Sequence, residues 1–154
     1  MATVFIILAI VFALFSVYLR NSADKHEETK MQSSIITSPS SDLLKNQKYA
    51  IINILAFVQG ANFVSAYSDE ANDIINNWLS KLGLSKDDAE KSIRLSMSYS
   101  PERSIQIIRD SMVEIQDKGF VREVYRDVQR IAQISGDEDT IDFAKELFND
   151  ILSH

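Results

Sequence analysis

Residues 68 to 83, SDEANDIINNWLSKLG, carry every mark of one complete helix: a cap, two acids, a one-sided apolar stripe and a closing glycine. Ser68 stands where a side-chain oxygen accepts from the unpaired N–H groups of a first turn. Asp69 and Glu70 follow at the positive end of the helix dipole. Ala71, Ile74, Ile75, Trp78, Leu79 and Leu82 recur at steps of three, one, three, one and three, which places them on one face. Gly83 suits the left-handed residue that ends a helix. The same punctuation returns as Ser85 ahead of Asp87 and Asp88, as Ser100 ahead of Pro101, and as Asp137 ahead of Glu138 and Asp139. Proline at a first helical position loses nothing by its missing N–H. From about Leu43 onward the chain is therefore constrained to packed helices.

The remaining segments agree. YAIINILAFV (49–58) is nearly all apolar, and Gly60 after it suits a helix end, so it reads as a buried helix although its length alone fits a strand as well. SPERSIQIIRDSMVEIQ offers Ile105, Ile108, Met112 and Ile115 as a stripe, and Gly119 separates it from FVREVYRDVQRIAQI, with Val121, Val124, Val128 and Ile131. The last helix carries Ile141, Ala144, Leu147, Phe148 and Ile151. Four glycines and two prolines in 154 residues disfavour a turn-rich β fold. The expected fold is all-α, a compact bundle of about six helices over residues 43 to 154.

Ahead of this domain, TVFIILAIVFALFSVYL (3–19) is an uncharged run that reaches about 25 Å as a helix. Residues 1 to 20 are expected to form a transmembrane helix that contacts lipid through 3–19, and the polar residues 21 to 42 a flexible tether. A cleaved signal peptide is the alternative, but MATV lacks a basic start and Tyr18, Leu19 and Arg20 are too bulky for a cleavage site. Arg20, Lys25 and Lys30 all follow the span, so a single-pass protein of the cell membrane with a cytoplasmic C-terminal domain is expected.

Charge narrows the partners. The net charge of -6 lies wholly in residues 42 to 154, a surface that repels a phosphate backbone and makes nucleic acid an unsuitable partner. Without cysteine there is no disulfide, thiolate nucleophile or cysteine zinc site.

A shift of 69 residues lays DEANDIINNWL (69–79) on EDTIDFAKELF (138–148), pairing Asp69 with Glu138, Glu70 with Asp139 and Asp73 with Asp142. Upstream of each copy an apolar segment ends in glycine, LAFVQG and IAQISG. Two weakly repeated units thus read helix, glycine, acidic cap, helix. Through RIAQISGDEDTIDFAKELFNDI and SDEANDIINNWLSKLGLS, residues 45 to 154 resemble the TerB-like family, which includes tellurite-resistance proteins and a domain of membrane-anchored co-chaperones. The resemblance implies an all-helical interaction or scaffold module in a bacterial envelope or stress-response assembly, with a protein partner. Where the family has Asp-Gly, this chain has Gln59-Gly60 and Ser135-Gly136, and ANFVSAY is inserted after the first.

The acidic helix starts are the candidate metal ligands: Asp69, Glu70, Asp137, Glu138 and Asp139. A divalent cation such as Ca²⁺ takes six to eight oxygens converging on a point, which adjacent side chains at one helix start do not provide. Convergence of the two starts would make a cation sensor; otherwise Asp137 is a cap and Glu138 and Asp139 complement the dipole. No catalytic residue emerges. His26 lies in the tether and His154 at the end of the sequence, and the serines have no evident base, so a small hydrolase is the third and weakest reading.

Overall fold

In a computed structural model of the chain, which describes residues 43 to 154, this punctuation becomes seven α-helices with no strand among the described residues. They are α1 (Lys45–Gly60), α2 (Phe63–Ala66), α3 (Asp69–Leu82), α4 (Lys86–Met97), α5 (Pro101–Val113), α6 (Lys118–Ser135) and α7 (Glu138–Ser153). The expected spans 1–20 and 21–42 lie outside the described residues. Among the described residues no helix is long and apolar enough to cross a membrane.

The serine caps act as their positions require. Ser68 accepts from Ala71 N–H at 3.3 Å, Ser85 from Asp88 N–H at 3.1 Å and Ser100 from Arg103 N–H at 3.3 Å. Gly83 ends α3 at φ +65°, with Leu84 N–H donating back to the Leu79 carbonyl at 3.0 Å.

Two boundaries differ from the sequence reading. Gly119 does not separate helices; it lies inside α6, whose cap is Asp117, accepting from Phe120 N–H at 3.0 Å. At Gly60 α1 does end as the sequence suggests, although the chain leaves through Ala61 in a right-handed conformation and no glycine-specific turn is used there. The inserted ANFVSAY forms a seventh helix, the single turn α2, capped by the Asn62 side chain accepting from Val64 N–H at 2.8 Å.

α1 is the central helix, packing against α2, α3, α4, α5 and α6. That explains its nearly continuous apolar sequence: Ile51, Ile52, Ile54, Leu55 and Val58 point different ways around the helix and all are buried. α3 and α7 both run antiparallel to α6. Along α3, Glu70 meets Arg130 while Lys81 meets Glu123; along α7, Phe148 stacks on Tyr125. The segments that the 69-residue shift aligns fall on α1 with α3 and on α6 with α7, and α1 and α6 pack against each other.

An ion pair ties α5 to α7, Arg109 Nη1 donating to Asp150 Oδ2 at 2.6 Å. That hydrogen bond holds the Asp150 carboxyl below the usual carboxylate range. A depressed folded-state pKa contributes stability above the ordinary carboxylate pKa and loses it as pH falls through the folded value. Asp150→Asn should therefore lower stability at neutral pH and converge with the parent chain in acid, as read from urea midpoints across pH.

Candidate functional site

Three contacts fix which helix ends share one edge of the bundle. Gln59, at the end of α1, donates from Nε2 to Asn72 Oδ1 near the start of α3 at 2.7 Å. Phe57 of α1 meets Phe143 near the start of α7 with ring centroids 5.5 Å apart. Arg130, in the last turns of α6, reaches Glu70 at 3.2 Å. The starts of α3 and α7, the two acidic segments related by the repeat, therefore lie at the same end, where α1 and α6 finish.

At that end the acids take different roles. Glu70 is paired with Arg130, which also contacts Asp127 at 3.3 Å; Asp127 in turn accepts from Trp78 Nε1 at 2.9 Å. The positive charge facing Glu70 is thus an arginine of the protein itself. Asp137 Oδ2 accepts from Thr140 N–H at 3.2 Å and from the Thr140 hydroxyl, which caps α7. Asp69, Glu138 and Asp139 are exposed and make no ion pair among the described residues. The two starts share an edge without converging on a point: among the described residues no group of three or more His, Cys, Asp or Glu is arranged to hold a metal. The reason is topological. α3 packs on α1 and α6, α7 on α6 and α5, so the starts arrive on separate flanks.

The capping geometry makes a quantitative prediction. Asp137→Asn keeps an acceptor and should be nearly neutral, whereas Asp137→Ala should cost about 0.5–2 kcal/mol. Thermal melts of both variants with Ca²⁺ or Mg²⁺ and again with chelator check it. Equal, cation-dependent losses for Asn and Ala would show a ligand instead.

The sequence reading did not single out α2. Phe63 is 63% and Val64 57% exposed on this turn, and the Phe63 and Tyr67 rings lie 4.7 Å apart. Ser65 anchors the turn from beneath, its hydroxyl donating to the Gln59 carbonyl at 2.9 Å, and α2 rests on α1 and α6. The available signal was Asn62, a good cap directly before an apolar pair. Other candidates stay apart from this edge: Trp78 is a core side chain at 2% exposure, and His154 lies 3.5 Å from Asp150 near the end of α7. In the arginine row of α6, Arg130 and Arg126 turn to acids, Arg126 to Glu123 at 3.9 Å, while Arg122 is exposed.

Fold and site together define an all-helical domain with one acidic edge tipped by an exposed apolar turn. Compared with family models, curated proteins and solved structures, the chain matches none.

Proposed function

We propose that the chain is a membrane-anchored interaction module. Residues 1 to 20 would hold it in the cell membrane, residues 21 to 42 would tether it, and a TerB-like helical domain on the cytoplasmic side would meet a protein partner of an envelope or stress-response assembly. The observation that carries this reading is the exposure of Phe63 and Val64 on a turn anchored to the core. Large apolar side chains held outward in a cluster leave their burial free energy available to a second surface. The assignment of the span and its orientation is supported by the uncharged run 3–19 and its C-terminal basic flank.

The experiment uses the full chain in its own membranes. Deleting residues 1 to 41 should release a domain that still melts cooperatively, because every described helix lies beyond Asp42. Phe63→Asp with Val64→Asp should leave that melt unchanged, since both side chains are exposed, and remove the protein that co-purifies with the parent chain. Retention of the truncated domain in the membrane fraction, digestion of the domain by protease from the periplasmic side, or undiminished co-purification would contradict the reading.

A further inference from the structure

We infer that the acidic edge receives a basic protein segment with an apolar side chain at its centre, an inference that rests on the interaction-module reading. The apolar element is Phe63 and Val64 on α2. At that end of the bundle, on its separate flanks, the start of α3 brings Asp69 and Asp73 and the start of α7 brings Asp139 and Asp142. All four carboxylates are exposed and none makes an ion pair among the described residues. Asp73 and Asp142 are neither caps nor first-turn residues, so helix formation does not require an acid at either. Their uncommitted charges select the occupant. A bilayer surface carries phosphates and repels such a rim, and a second copy of the chain would set like charges against one another. A segment with lysine or arginine on either side of a buried apolar residue answers both parts: its apolar group covers Phe63 and Val64, and its cations find acids. An arginine in it can also stack on the Phe63 and Tyr67 rings.

The test places a photocrosslinking phenylalanine analogue at position 63 of the full chain in its own membranes, and in a second preparation at Leu95, another exposed apolar position on α4. The captured segment from position 63 should carry lysine or arginine flanking an apolar residue. Its yield should fall about fivefold with Asp73→Lys and Asp142→Lys together, and fall likewise in raised salt, because rim charges steer association. Glu114→Lys, the same change of sign in the turn after α5, should leave it unaltered. Capture of lipid, of a second copy or of an acidic segment, or a yield indifferent to the double reversal, would overturn the inference. Protein captured from Leu95 and not from position 63 would overturn it while leaving an interaction module. No protein captured from either position would overturn the module reading as well.

Discussion

Phe148→Ala should lower the unfolding free energy by about 3–5 kcal/mol, the cost of removing a large aromatic side chain from a core that relaxes only in part. Phe148 is completely buried on α7 and stacks on Tyr125 of α6 at 4.8 Å. Its loss should therefore open a cavity between α6 and α7. Urea unfolding gives the difference, read from the midpoint with the slope held in common. A loss below about 1 kcal/mol would place Phe148 at a surface and contradict the packing of α7 on α6.

Trp78 supplies the second large effect. It is 2% exposed, meets Phe120 edge-on at 5.5 Å, lies under the Lys81 ammonium at 4.7 Å and donates to Asp127 at 2.9 Å. Trp78→Ala should cost about 3–5 kcal/mol by opening a cavity. Trp78→Phe keeps one aromatic ring but loses the indole N–H and part of the ring volume, so about 1–3 kcal/mol is expected, from leaving Asp127 short of a donor and from a smaller cavity. If both melted like the parent chain, the α3–α6 contact would not exist as described.

Local rules made much of this fold legible. Ser68, Ser85, Ser100 and Asp137 announce their helices because capping is a short-range exchange between one side chain and the N–H two or three residues on. Gly83 and Gly136 were legible for the same reason, both adopting φ +65° at a helix end. Gly119 misled because a glycine is also tolerated inside a helix, and only the neighbouring cap, Asp117 for α6, decides which role it takes. The start of α1 at Lys45 falls within two residues of the onset read at Leu43 but lacks a serine or aspartate cap, Gln47 Oε1 instead accepting from Leu44 N–H at 2.9 Å. The acidic residues were visible in the sequence, but their grouping was not. Which end of the bundle they occupy depends on α3 and α7 running back along α6, and pairings such as Glu70 with Arg130 span 60 positions. Nothing in a helical period encodes a contact at that separation.

The acidic starts of α3 and α7 lie at one end of the bundle, and the candidate site depends on that placement. Because the chain has no cysteine, spin labels can be placed at will. One label goes at Glu138, the other either at Asp69, at the start of α3, or at Ser80, near its end; all three positions are exposed. Asp69 and Ser80 lie on the same solvent face of α3, about 16 Å apart along its axis. Pulsed electron resonance should find Asp69 the closer to Glu138, by a margin on the order of 10 Å if α3 runs antiparallel to α6. Equal distances, or a shorter distance from Ser80, would place the two acidic starts at different ends and contradict the account.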